Sequence, residues 1–115
     1  MTLDTPANYS STVRPICLPA SDDVESLLAM EDNLWVTGWG KTNLRSRSSD
    51  TLQELEVNTV DSSRCAQLWR QDELIPGVVC IWGDEEAREG VCQGDSGGPL
   101  MVRTDDSKHF LLGES

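Results

Sequence analysis

The chain has 115 residues, which fits one small domain, or part of a larger one, but not two complete domains. Its 20 Asp and Glu against 9 Lys and Arg leave a formal charge of -11. That balance argues against nucleic acid, because binding phosphates needs clustered cations, and against a polybasic membrane contact. Hydrophobic residues make up 37%, below the ~45–50% usual for globular chains, and no run approaches the ~18 apolar residues of a spanning helix. The four cysteines suggest an oxidising compartment, with their pairing left open by spacing alone. Against this, Met1-Thr2-Leu3-Asp4-Thr5-Pro6 has neither the charge nor the apolar core of a secretory leader.

Taken in order, Val13-Arg14-Pro15-Ile16-Cys17-Leu18-Pro19 is extended, since residues before proline avoid the helical region. Asp22 to Asp32 is read as an acidic loop holding at most a short helical turn around Leu27 and Leu28. Leu34 to Gly40 is aromatic and β-branched and ends in glycine, so it is a predicted strand. A polar loop, Lys41 to Asp50, leads to Leu52–Val60, where Leu55 and Val57 alternate with polar residues as in a half-buried strand. Asp61-Ser62-Ser63 supplies capping side chains for a short helix over Arg64–Trp69. Pro76-Gly77 turns the chain into a strand over Val78–Trp82. Two more strands, Pro99–Arg103 and Phe110–Leu112, flank a turn from Thr104 to Lys108. Short strands, frequent turns and almost no helix indicate an all-β sandwich or barrel.

The segment that carries chemistry is Val91-Cys92-Gln93-Gly94-Asp95-Ser96-Gly97-Gly98-Pro99-Leu100. A nucleophilic serine must present its oxygen to a carbonyl while backbone N–H groups face the oxygen that becomes negative. Glycines around Ser96 permit the tight backbone this needs, although a glycine-rich loop of no catalytic significance has the same composition. The five residues Gly94–Gly98 also fit the elbow of α/β-hydrolases, which lies between a strand and a helix. Gly97-Gly98-Pro99 followed by an apolar strand blocks that helix, and no strand–helix alternation occurs elsewhere. The elbow is excluded.

Val13-Arg14-Pro15-Ile16-Cys17-Leu18-Pro19, Val36-Thr37-Gly38-Trp39-Gly40, Leu52-Gln53 and Cys92 through Leu100 resemble, in order and spacing, the signatures of trypsin/chymotrypsin-like serine proteases. The resemblance covers nearly all of the chain. It implies an antiparallel Greek-key barrel with one short helix: residues 1–115 would be most of the second barrel of a two-barrel peptidase, without the first barrel or the final strand and helix. It implies a serine endopeptidase with Ser96 as acylating nucleophile and the N–H groups of Gly94 and Ser96 as oxyanion hole. Asp95 takes the place of the carboxylate that pairs with the new N-terminal amine after zymogen cleavage. Gly90, Val91 and Gln93 fall at the specificity pocket. Trypsin-like members carry aspartate where this chain has Gly90, so an Arg or Lys side chain would lose its charge partner, and elastase- or chymotrypsin-like preference for apolar side chains is expected. The upstream Asp84, Glu85, Glu86 and Glu89 read as a solvated loop.

The same resemblance pairs Cys65 with Cys80, leaves Cys92 without its downstream mate, and gives Cys17 the place of a cysteine tied to a pro-segment or light chain. Leu34 and Met101-Val102 stand where many members carry a further bridge, which suggests an apolar contact in its place. Zinc is not expected, since the cysteines include no closely spaced pair, and no metal or organic cofactor is needed. The one histidine, His109, follows the serine motif, whereas the family's catalytic histidine lies far upstream of the serine and its orienting aspartate on a segment expected to end just before Met1, so the polypeptide alone is expected to be inactive. Expected partners are protein or peptide substrates and protease inhibitors, in an extracellular setting. The alternative is a non-catalytic, protease-like binding module. Asn8-Tyr9-Ser10 is a glycosylation sequon in a polar stretch.

Overall fold

The structure, a computed structural model, describes residues 2–30, 33–41, 47–70, 75–83 and 91–115. Five antiparallel strands form one open sheet: β1 Leu34–Gly38, β2 Gln53–Val60, β3 Cys80–Trp82, β4 Pro99–Arg103 and β5 His109–Glu114. Their spatial order is β3-β2-β1-β4-β5. Three consecutive strands lie side by side and the fourth returns beside the first, which is Greek-key connectivity. The all-β expectation therefore holds, as an open sheet.

The register explains the core. In β1, Leu34 stands opposite Val57 of β2 and Val102 of β4, and Val36 stands opposite Leu55 and Leu100. Side chains two residues apart share a face, so these positions form adjacent apolar rows. Leu34 and Val102 are fully buried, and Val57 nearly so. The apolar contact expected in place of a bridge is thus Leu34 against Val102, with Met101 on the opposite face beside Trp35. Phe110, Leu112 and Ile81 extend the cluster along the outer strands.

The acidic stretch is more ordered than a loop. A 3-10 turn, Ser21–Asp23, runs into helix α1, Val24–Leu28. Its cause is tertiary: Leu27, Leu28 and Met30 pack against the core cluster, and burying apolar side chains offsets the cost of ordering an acidic segment. Helix α2, Ser62–Leu68, begins as expected at Asp61, whose carboxylate accepts from the main-chain N–H groups of Ser63 at 2.9 Å and Arg64 at 3.2 Å. The Ser63 hydroxyl and then these N–H groups hold the Asp61 carboxyl below its usual range. Strand β3 is shorter than expected because its partner ends at Val60, opposite Cys80, where the chain turns into α2. Val78 instead closes the turn, donating to the Ile75 carbonyl at 3.2 Å, with Gly77 at φ 85°.

Cys65 in α2 and Cys80 at the start of β3 form a disulfide, with Cα atoms 6.3 Å apart and a sequence separation of 15. Closing a loop of that size contributes ~3 kcal/mol in the chain-entropy model. On the far edge, the Cys17 N–H donates to the His109 carbonyl at 3.0 Å, and Leu111 donates to the Cys17 carbonyl at 2.9 Å. The extended segment around Cys17 therefore covers part of the β5 edge. The Cys17 and Cys92 thiols are free.

The β4–β5 hairpin closes through Thr104, whose N–H donates to the Lys108 carbonyl at 2.9 Å, and Ser107, left-handed at φ 62°. The Ser107 N–H donates to the Thr104 carbonyl at 2.8 Å, so a four-residue turn ends on a left-handed residue within a three-residue hairpin loop. Lys108 Nζ lies 2.6 Å from Asp106, which also accepts from the Thr104 hydroxyl at 2.5 Å. Lys108 first and Thr104 second push the Asp106 carboxyl down to about 2, while Asp106 raises the Lys108 ammonium.

Two outcomes follow. Leu34→Ala is expected to cost about 3 kcal/mol, within the range for buried leucines, read as a lower urea midpoint with unchanged slope. The Asp106–Lys108 pair is largely exposed and contributes little, but its sign is definite. Asp106 titrates lower folded than unfolded, so its contribution is complete above the ordinary aspartate range and disappears as pH falls through about 2. Lys108 titrates higher folded than unfolded, so its contribution is complete below the ordinary lysine value of 10.5 and is lost as pH rises through the folded value. A carboxyl NMR titration should place the Asp106 midpoint at about 2, and Lys108→Ala should move it upward.

Candidate active site

Ser96 lies in the second of two successive tight turns. The Asp95 N–H donates to the Cys92 carbonyl at 3.0 Å, closing a turn over Cys92–Asp95 with Gly94 at φ 103°. The Gly98 N–H donates to the Asp95 carbonyl at 2.8 Å, closing a second turn over Asp95–Gly98 with Gly97 at φ 81°. Each turn places glycine at the third position, where a positive φ excludes most side chains. Ser96 is the second residue of the second turn and is exposed. Among the described residues, neither its hydroxyl nor the N–H groups of Gly94 and Ser96 have a hydrogen-bond partner.

The turns are anchored by Asp95. One carboxylate oxygen accepts from the Gly40 N–H at 2.7 Å and the other from the Cys92 N–H at 3.1 Å. The carboxylate lies so close to Gly38 and Gly40 that a Cβ on either would collide with it. Alongside, the Lys41 N–H donates to the Gln93 carbonyl at 3.0 Å. This is why β1 ends at Gly38 and does not reach Gly40 as expected: beyond that point its donors turn to Asp95 and Gln93. The opposite side is clamped by Ser115, whose carbonyl accepts from Gly97 at 2.6 Å and whose hydroxyl donates to the Asp95 carbonyl at 2.7 Å.

The other expected site residues divide. Val91 and Gln93 are exposed beside the turns. Gly90 lies outside the described residues, as do Asp84, Glu85, Glu86 and Glu89. His109 is exposed and pairs with Arg103 at the far end of the β4–β5 hairpin, whereas Ser96 precedes Pro99 at the near end. At ~3.4 Å per strand residue, the length of β4 keeps its imidazole out of reach of Ser96. Gly38 and Gly40 enter the sequence reading only within the Val36–Gly40 signature, with no site role, and Ser115 has none either. The Gly-Trp-Gly spacing was visible, but its partner lies 55 residues away.

Residues 1–113 match the family model described as Trypsin. The chain belongs to the trypsin family. It is 38% identical over 111 residues to the suppressor of tumorigenicity 14 protein homolog of Bos taurus, covering 96% of this chain and 12% of that protein. It is 36% identical over 114 residues to serine proteinase stubble of Drosophila melanogaster, covering 96% and 14%. Against coagulation factor XI of Bos taurus the identity is 35% over 109 residues, covering 95% and 17%. The chain thus spans less than a fifth of these relatives. Among the described residues, no helix is long and apolar enough to cross a membrane.

Within this trypsin-family site, Gly40→Ala is expected to displace the Asp95 carboxylate. Losing a hydrogen bond to a charged acceptor costs ~1.5–3 kcal/mol, and chemical denaturation should register a destabilisation of that order. Gly113→Ala is the control, because a Cβ there meets nothing within 4 Å.

Proposed function

We propose that the protein carrying this segment is an extracellular serine endopeptidase in which Ser96 attacks the substrate carbonyl. The N–H groups of Gly94 and Ser96 stabilise the developing oxyanion, the amine product leaves, and water hydrolyses the acyl-enzyme. The observation that carries this reading is the exposed turn of Ser96, held from beneath by the Asp95 carboxylate bound to Gly40. In this reading Asp95 responds to zymogen cleavage by pairing with the new N-terminal amine, and Cys17, exposed on the β5 edge with a free thiol, is the tether to a pro-segment or light chain. Substrates are proteins or peptides, and protease inhibitors would compete for the same cleft.

Gly90 in place of an aspartate makes the pocket suited to small or medium apolar side chains, since an unpaired Arg or Lys would be desolvated without compensation. The general base is contributed by a residue outside this chain, because His109, the one histidine, is too far away. Without base and orienting aspartate only residual catalysis remains.

Fluorophosphonate labelling tests this directly. The activated full-length protein should be labelled at Ser96, Ser96→Ala should abolish labelling, and the isolated 115-residue chain should stay unlabelled. A full-length protein equally refractory to the probe would favour the non-catalytic module instead. Peptides with Ala or Val before the cut bond should be cleaved faster than those with Arg, and the reverse order would overturn the pocket assignment.

A further inference from the structure

The sequon Asn8-Tyr9-Ser10 is not absorbed by the proteolytic site, and its surroundings suit a modified surface. Every residue from Thr2 to Leu18 is exposed, Asn8 included. The Asn8 carboxamide has no hydrogen-bond partner among the described residues, so it is not engaged in holding the fold. Ser10 closes a local turn: its N–H donates to the Val13 carbonyl at 3.0 Å, and its hydroxyl oxygen accepts from Thr12 at 3.2 Å and Val13 at 3.1 Å. Among the described residues, the hydrogen bonds of residues 2–16 all lie within that turn, and the first to a strand of the sheet is made by Cys17. Asn8 is therefore accessible both before and after the sheet forms. Proline, which would block transfer, is absent at Tyr9 and at Ser11. The Cys65–Cys80 disulfide supplies a second indication of an oxidising compartment, where the transfer machinery resides.

We propose that Asn8 carries an N-linked glycan, an inference that rests on the extracellular reading given above. The donor is an oligosaccharide joined through its reducing-end sugar to a lipid pyrophosphate. The Asn8 amide nitrogen forms a bond to the anomeric carbon while the bond from that carbon to the pyrophosphate oxygen breaks. The pyrophosphate leaves with the electron pair, and the amide proton passes to a base of the transferase. The same exposed segment carries Leu3, Tyr9 and Val13, which are 64%, 72% and 46% exposed.

The test uses the full-length protein secreted from cultured animal cells. Treatment with peptide-N-glycosidase in heavy-oxygen water should convert Asn8 to aspartate bearing the label, located by peptide mass spectrometry. Asn8→Gln and Ser10→Ala should abolish that signal, and Ser10→Thr should retain it. An unmodified Asn8 in secreted protein with an intact Cys65–Cys80 bond would overturn the glycan while leaving the extracellular reading in place. Protein retained inside the cell with both cysteines reduced would remove the compartment on which the glycan depends, and the proposal with it.

Discussion

Strand β1 is bonded on both sides, to β2 and to β4, and the rest of the molecule is placed by that double pairing. Leu34 meets Val57 on one flank and Val102 on the other, so a single side chain joins segments separated by most of the chain. Its burial is complete, and the same register carries Val36 between Leu55 and Leu100. The strand then leaves the sheet at Gly38 and, within two residues, offers the N–H that holds Asp95. One strand thus supplies both the centre of the core and the floor of the site, so the packing at Leu34 and the placement of Ser96 are mechanically continuous.

The sheet is only partly enclosed. The chain's radius of gyration is 15.5 Å, against about 13 Å for a compact domain of this length. Trp39, Trp69 and Trp82 are 57%, 71% and 51% exposed, although tryptophan is on average highly buried. Strand β3 has one neighbour, β2, and among the described residues its other edge is bare. Exposed aromatics and an open edge are the form expected of a unit that shares its surface with further chain, in keeping with the small fraction of each relative that the segment spans.

At the site, the chemistry depends on what is kept out as much as on what is present. Gly38 and Gly40 lack the Cβ that would collide with the Asp95 carboxylate, and Gly94 and Gly97 take backbone angles that a side chain would resist. The carboxylate is then satisfied by two main-chain donors, while among the described residues the Ser96 hydroxyl and the N–H groups of Gly94 and Ser96 have no hydrogen-bond partner. A loop so arranged is fixed through the Asp95 carboxylate and leaves Ser96 exposed at its surface.

Much of this was legible in the chain itself. The alternation of Leu55 and Val57, the capping Asp61, the Pro76-Gly77 turn and the glycines around Ser96 each act over a few residues, and local chemistry decides such features. The four ordered motifs carried the family, and with it the Cys65–Cys80 pairing. The ends of β1, β3 and β5 were not legible, because a strand stops where its partner stops, and the partners are distant. Nor was the ordering of Val24–Leu28, where acidic composition suggested a loop and contact with the core decided otherwise. The sequence by itself determined the strand and turn chemistry and the glycine-rich setting of Ser96, all of which depend on neighbours along the chain. Only the tertiary structure decided that Leu34 faces Val102, that Asp95 rests against Gly38 and Gly40, and that His109 stands away from Ser96. Those are distances between segments, set by the sheet register and, for Asp95, by its hydrogen bonds from Gly40 and Cys92.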